Sequence, residues 1–223
     1  MAKKLKEPML QGAEKDEAVA DAITSSIETE VRNRLTSLKY LSGKFEELKL
    51  WARVASPNAE VNILRQGFIL LMTAFDAAIF DLVRRALRNK FFSLAGAFGK
   101  QEKISLQEIA EHGSFQALQE EIIEEQLKKR YVKDLLYLLC NEWKVECVDK
   151  LAGDKFERLI EFVLRRNVQV HNRGIVDDRY LDENKNLDGL KVGDTAVIDD
   201  GYWRLANQLT TKCVEKVAAW AEA

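Results

Sequence analysis

FILLMTAFDAAIF, Phe68 to Phe80, is the stretch of sequence that decides the fold. It is apolar on nearly every side of a helix, which predicts that it lies in the core of the protein. It forms the middle of a longer helical pattern from about Asn58 to Phe91, after an N-cap and first-turn proline at Ser56-Pro57. Asp76 and Asp81 fall within or beside the apolar run. Because a buried carboxylate is costly, each requires a cation or hydrogen-bond donor nearby.

The remainder of the chain is also punctuated like a helical protein. Its 223 residues include only two prolines and eleven glycines, which leaves long uninterrupted segments. Helical periodicity extends from roughly Asp16 to Val54. Capping residues predict further helices, which begin after Ser105, Ser114 (Phe115 to about Cys147), Asp154 (Lys155 to Asn172) and Asp199.

These patterns predict an all-α fold in two parts. Residues 1–56 form an N-terminal helical extension and residues 57–223 form a helical domain. The segment LKVGDTAVID, residues 190–199, predicts at most a short β-hairpin before the last helix.

Composition narrows the class of protein. Hydrophobic residues make up 47% and charged residues 31%, as in ordinary soluble domains. The net charge of −2 argues against broad electrostatic capture of nucleic acid but allows a small basic site. The N-terminus lacks the pattern of a signal peptide, and the apolar run at residues 68–80 is too short to cross a bilayer, so we expect a cytoplasmic protein without membrane contact. The three cysteines (Cys140, Cys147, Cys213) are predicted to be reduced core thiols, and the two histidines show no zinc spacing.

A basic cluster ends the predicted helix in LIEFVLRRNVQVHNRGIVDD, Leu159 to Asp178. A helical wheel predicts that Arg165 points to solvent, whereas Arg166, Asn167 and His171 lie within or along the border of the buried face. Polar groups at such positions are partly desolvated and require partners. The cluster therefore divides into a surface cation and a group of three polar residues.

Such a group suits cleavage of RNA without a metal or other cofactor. A 2′-OH attacks the adjacent phosphorus, and the reaction requires a base, an acid and a cation for the charge on the non-bridging oxygens. Histidine supplies acid or base near neutral pH, and arginine grips phosphate oxygens. Because this site holds one histidine, two-histidine chemistry requires a second copy of the chain in a symmetric dimer.

RNVQVH, Arg166 to His171, resembles the signature of HEPN domains: an arginine, a polar residue that is often asparagine, and a histidine after four to six intervening residues. HNRGIVDDRYL and VGDTAVIDDGYW are also similar to members of that family. The resemblance covers roughly Asn58 to Ala223, and its specific part is Arg166 to Tyr180. It implies a dimerising helical bundle that often acts as a metal-independent endoribonuclease, and many members are toxins or phage-defence effectors.

The resemblance also implies roles for individual residues. Arg166 and His171 would be the catalytic pair, with Asn167 in support. An acidic residue on an early core helix commonly faces the motif arginine, and Asp76 matches it best, with Asp81 as the alternative. RNA is the implied substrate, a second copy of the chain the implied partner, and an antitoxin or regulatory protein a further one.

Less specific interpretations compete with these. The motif can equally belong to a non-catalytic HEPN-like scaffold or to a module that binds a nucleotide or a protein partner. Arg173 is a candidate for contacting RNA backbone or a solvated helix end, and Tyr180 either stacks on a base or packs in the core. His112 is expected to decorate a helix C-terminus. The basic runs Arg84-Arg85 and Lys128-Lys129-Arg130 are expected on solvated faces.

Overall fold

The structure is a computed structural model that describes residues 36, 39–40, 43–50, 57–94, 96, 106–147, 154–185 and 187–222. The chain forms two compact units, Met1–Ser37 and Leu38–Ala223. The predicted helical pattern at residues 16–35 and the predicted caps at Ser56 and Ser105 lie outside the described residues.

Helices account for all the regular structure of the described part, and the prediction of an all-α fold is confirmed. Residues 43–50 form a first helical segment. The elements that follow are α1 (Pro57–Asn89), α2 (Phe91–Leu94), α3 (Leu106–Glu111), α4 (Phe115–Lys128), α5 (Val132–Tyr137), a π-helical turn (Leu138–Glu142), α6 (Lys155–His171), α7 (Asp178–Asp182) and α8 (Asp200–Glu222).

Helix α1 is the centre of the core, as its apolar stretch predicts. Phe68, Met72, Phe75 and Ile79 are fully buried. The helix packs against α4, α5, α6 and, most extensively, α8. By length and composition alone, its residues Ala59–Asn89 are also sufficient to cross a membrane, and half of the most apolar window is buried inside the protein. Because core helices pass the same test, this is weak evidence for a membrane span.

The predicted single helix from Phe115 to Cys147 is wrong, because the chain breaks it after Lys128. Ser114 does cap α4, since its hydroxyl accepts a hydrogen bond from the Ala117 N–H at 3.1 Å. Tyr131 then adopts an extended backbone, and the Asp134 carboxylate accepts its N–H at 2.9 Å. This side-chain partner replaces a helical one, so a new helix begins at Val132. Asp154 occupies the N-cap position of α6, but its side chain makes no capping bond.

The segment 43–50 packs on the same unit as the central helices. The Phe45 ring stacks on Trp203 of α8 at 4.5 Å between ring centroids. It also lies directly over Gly67 of α1, where any β-carbon would overlap the ring. Lys49 is buried and pairs with Asp200. The boundary predicted near residue 56 stays a prediction, but this segment has specific contacts across it.

The chain that follows α6 pairs with the predicted hairpin segment. Ile175 and Thr195 form an isolated antiparallel bridge. The Val176 N–H donates to the Asp194 carbonyl and the Gly193 N–H donates to the Val176 carbonyl, both at 2.9 Å. Within the described residues no strand longer than this bridge forms. Residues 193–196 are therefore hydrogen-bonded to the chain directly after α6, the helix that carries Arg166 and His171.

All three cysteines are free thiols. Cys147 is hydrogen-bonded to both Cys140 and Cys213, which joins the π-helical turn to α8. The bond with Cys140 lowers the pKa of Cys147, but the bond with Cys213 and burial outweigh it and raise that pKa. The Cys147 thiol therefore keeps its proton and is a poor nucleophile.

Candidate functional site

Helix α6 is covered on almost every side over its central two turns. Residues 159–165 are all buried, and this run includes two charged side chains, Glu161 and Arg165. Helices α1, α5 and α8 pack against it. The polar face on which Glu161 and Arg165 lie is covered by residues from 180 to 202.

Arg165 does not point to solvent, and the wheel prediction is wrong for this residue, which is only 3% exposed. Its Nε donates to Glu161 Oε1 at 2.6 Å, its Nη1 donates to the Val197 carbonyl at 3.0 Å, and its Nη2 pairs with Asp188. The helical-wheel prediction took the side of α6 away from its apolar residues to be exposed to solvent. Here Glu161 of the same helix accepts from Nε, and the covering residues Asp188 and Val197 supply partners for the other two nitrogens, so the charges are buried and paired.

Tyr180 and Tyr202 complete this buried polar network. Their hydroxyls donate to the two oxygens of Glu161, at 2.5 Å for Tyr180 and 2.7 Å for Tyr202. The Arg165 guanidinium lies over the Tyr202 ring, 4.2 Å from its centroid. Burial and the Glu161 carboxylate raise the pKa of Tyr180, so its phenol keeps the proton that it donates. Of the two roles considered for Tyr180, the observed contacts are those of a packing residue.

The predicted motif residues lie together on a different side of α6. Arg166 is half-buried, and Asn167 and His171 are exposed rather than within the buried face. Val170, on the same helix, is 45% exposed. The position of Asn167 is therefore a second correction to the wheel. Arg166, Asn167 and His171 nevertheless line one cleft of about 410 Å³.

The Arg166 guanidinium acts electrostatically on the Asp76 carboxyl, which is the pair that the family resemblance implies. Burial raises the pKa of Asp76 to about 6, and the Arg166 guanidinium opposes that rise. Among the described residues, neither Asp76 Oδ1 nor Arg166 Nε has a hydrogen-bond partner, although both atoms are buried. Arg166 Nη1 donates to Asn167 Oδ1 at 3.1 Å. Asp81, the alternative to Asp76, pairs instead with Arg84 at 3.0 Å.

Arg173 lies in the turn after α6 and does not line the cleft. Its side chain is exposed, and its backbone adopts the left-handed conformation with φ 54°. Gly174 follows with φ 86°, where a β-carbon would approach the Gln169 side chain to 2.9 Å. Two consecutive left-handed residues thus turn the chain back toward residues 193–196.

Sequence reasoning missed the residues that α5 and α7 bring to the cleft. Tyr131, Lys133, Arg179 and Glu183 line it together with the motif residues. The run KKRYVKD carries an aromatic residue among cations, which is a pattern of nucleic-acid contact that could have drawn attention to it. The break in the predicted helix at Tyr131 is what places this run at the cleft.

The basic runs expected on solvated faces do form surface ion pairs. Arg84 Nε pairs with Glu124 at 2.5 Å and Lys129 Nζ pairs with Glu125 at 2.5 Å. His112, at the end of α3, pairs with Glu121 at 2.9 Å. No three histidine, cysteine or carboxylate side chains in the described part of the chain are arranged to hold a metal ion.

The site is thus a cleft at the end of a buried helix, lined by Arg166, Asn167 and His171 of that helix and by Lys133 and Arg179 of neighbouring helices. Arginine and lysine are the side chains that bind carboxylate and phosphate groups. No family model, no curated protein and no solved structure matches the chain.

Proposed function

We propose that this protein is a metal-independent endoribonuclease of the HEPN type that acts as a cytoplasmic homodimer, as a toxin or a phage-defence effector. The observation that carries the proposal is that Arg166, Asn167 and His171 line one cleft, which also contains two further cations. No cofactor is required.

In the proposed reaction a ribose 2′-OH attacks the neighbouring phosphorus, and the bond from phosphorus to the leaving 5′-oxygen breaks. The products are a 2′,3′-cyclic phosphate and a free 5′-OH. The His171 imidazole of one chain accepts the 2′-OH proton, and the corresponding imidazole of a second chain donates a proton to the leaving oxygen. The Arg166 guanidinium stabilises the charge that develops on the non-bridging oxygens.

Asp76 and Asn167 position the arginine in this scheme. With a pKa of about 6, the Asp76 carboxyl is mostly ionised at neutral pH and supplies a negative charge to Arg166. Asn167 accepts a hydrogen bond from Arg166 Nη1 at 3.1 Å. Because Nη1 is bonded to Asn167 and Nε is buried, Nη2 of Arg166 is the nitrogen left for phosphate.

Loss of the imidazole tests the proposal directly. We expect wild-type protein to cleave cellular RNA in the presence of EDTA, and His171→Ala to reduce the rate about 100-fold or more with its melting temperature unchanged. His112→Ala is the matched control, because His112 is the other histidine of the chain and does not line the cleft. Failure of the wild-type protein to cleave RNA from cells in which it is toxic would rule out the enzyme.

One observation favours a non-catalytic scaffold or a nucleotide- or partner-binding module as a second candidate. In the described part of the chain, no side chain forms a hydrogen bond with the His171 imidazole, although a catalytic base is normally oriented by a third group. This candidate predicts that His171→Ala leaves toxicity and complex formation with an antitoxin or regulatory protein unchanged. The ribonuclease predicts that toxicity is lost.

A further inference from the structure

The cleft that the motif lines also contains one carboxylate between two cations. Glu183 Oε2 lies 2.5 Å from Lys133 Nζ, and Glu183 Oε1 lies 2.8 Å from Arg179 Nε. Lys133 belongs to α5, Arg179 to α7, and Glu183 directly follows α7. All three line the same cleft as Arg166 and His171. One carboxylate therefore pairs with two of the cations that the cleft presents and offsets one of their two charges.

Lys133 and Arg179 hold the Glu183 carboxylate as two cations would hold a phosphate. A carboxylate and a phosphodiester both offer two anionic oxygens that a lysine and an arginine can share. Lys133 and then Arg179 lower the pKa of Glu183, so the carboxylate stays charged. Arg179 is 82% exposed, so its pair with Glu183 contributes little stability, whereas Lys133 and Glu183 are 25% and 26% exposed. A phosphate that displaces the carboxylate must therefore mainly replace its contact with Lys133.

Other residues that line the cleft also suit the binding of a nucleotide chain. Tyr131 is 77% exposed and lines the same cleft, so its ring can stack with a base. Asp177, the second acidic residue of the lining, already accepts the Tyr180 N–H at 2.8 Å and caps α7. Glu183 is thus the acidic residue of the cleft whose carboxylate partners are cations.

We propose that Lys133 and Arg179 form a second phosphate subsite of the cleft, which takes a phosphodiester of single-stranded RNA, and that Glu183 occupies this subsite in the free protein as an internal competitor. The inference rests on the proposed function, because that function makes RNA the ligand. It adds a binding position beyond the scissile phosphate and a residue that weakens RNA binding.

Binding of a fluorescein-labelled single-stranded RNA of twelve nucleotides, followed by fluorescence anisotropy in the His171→Ala background, tests the subsite. We expect Glu183→Gln to tighten binding about fivefold. The slope of log Kd against log salt concentration should steepen by about 0.7 for one more neutralised phosphate. Adding Lys133→Gln or Arg179→Gln should abolish the gain, because the freed cations are its cause.

Glu124→Gln is the matched control. It removes the same charge from an Arg–Glu pair, that of Arg84 and Glu124, whose neighbouring cleft shares no lining residue with this one. Equal affinities and salt slopes for Glu183→Gln and Glu124→Gln would overturn the subsite. So would a gain that persists when Lys133 or Arg179 is replaced, or the absence of any RNA binding by the Glu183→Gln protein. Melting temperatures establish that each variant is folded.

The binding and cleavage experiments test the subsite and the ribonuclease separately, so either proposal can be rejected without the other. If wild-type protein does not cleave RNA but Glu183→Gln tightens RNA binding through Lys133 and Arg179, the subsite stands and the ribonuclease falls. If wild-type protein cleaves RNA but Glu183→Gln binds as the control does, the ribonuclease stands and the subsite falls.

Discussion

Asp76 is a single carboxyl whose environment sets a pH dependence for the whole protein. Its pKa is about 6 in the folded protein, against an ordinary value of 3.8. Between these values the folded state retains a proton that the unfolded state has released. The Asp76 contribution to the free energy of unfolding therefore falls as pH rises from about 4 to about 6, and is constant outside that window.

We expect Asp76→Asn to be more stable than wild-type protein at pH 7 by about 2 to 3 kcal/mol, since a shift of one pKa unit corresponds to about 1.4 kcal/mol. Below about pH 4 the two proteins should be equally stable. Urea unfolding across this pH range gives the difference in free energy. A difference that does not change with pH would contradict the raised pKa. If Asp76 also positions Arg166, the same variant loses RNA cleavage while it gains stability.

Arg173 combines exposure with a backbone conformation that side chains rarely adopt. We expect Arg173→Gly to raise the free energy of unfolding by about 1 kcal/mol, because glycine has no β-carbon to crowd the backbone at φ 54°. Lys144→Gly is the control, since Lys144 has φ 55° and does not line the cleft. Equal gains in stability, with weaker RNA binding for Arg173→Gly alone, would show that Arg173 contacts RNA. Equal RNA binding by the two variants would show that Arg173 is a solvated residue at the helix end and does not contact RNA.

Helix α6 presents two adjacent arginines to opposite surroundings, and this difference belongs to the element rather than to either residue. Arg165 is held inside by Glu161, Tyr180 and the Val197 carbonyl, whereas Arg166 borders the cleft. The periodicity of the sequence predicts the helix correctly, but it places Asn167 too close to the buried face. It cannot reveal that residues 188 and 197, distant in sequence and not helical, cover the polar side.

We expect Arg165→Met to lower the free energy of unfolding by about 3 kcal/mol, because the buried Glu161 carboxylate loses the closer of its two cations, at 2.6 Å, and keeps only Arg158, at 3.4 Å. The double replacement Glu161→Gln with Arg165→Met should be less destabilising than Arg165→Met alone. Arg88→Met provides the control: Arg88 pairs with Glu120 at 2.6 Å on the surface, so its loss should cost less than about 1 kcal/mol. Urea unfolding of the four proteins measures these differences. Similar losses for Arg165→Met and Arg88→Met would contradict the buried network.

At the scale of the whole molecule, the sequence predicts the fold class and the core helix but not the composition of the cleft. The apolar stretch at residues 68–80 and the caps at Ser114 and Asp199 carry the correct information, because they act through local periodicity and local hydrogen bonds. Lys133 and Glu183 are fifty positions apart and meet only after packing. No local pattern encodes such a pair.

The proposed dimer makes a prediction about the end of α6. Val170 is 45% exposed and directly precedes His171. If two helix ends face each other, Val170→Glu should separate the chains, abolish RNA cleavage and change the free energy of unfolding by less than about 0.5 kcal/mol. Val192→Glu, at another exposed valine that does not line the cleft, is the control. Sedimentation velocity gives the oligomeric state, and a Val170→Glu protein that remains dimeric would contradict this geometry.

Because buried contacts fix Arg165, the position of His171 depends more on the number of residues between the two than on which residues they are. Six positions separate the buried Arg165 from His171. Inserting or deleting one residue between them would turn His171 by about 100° away from Lys133 and Arg179 while Arg165 stayed fixed. An insertion of seven residues restores the direction to within about 20° but moves the imidazole about 10 Å along the helix axis. This stretch should therefore accept no change in its number of residues.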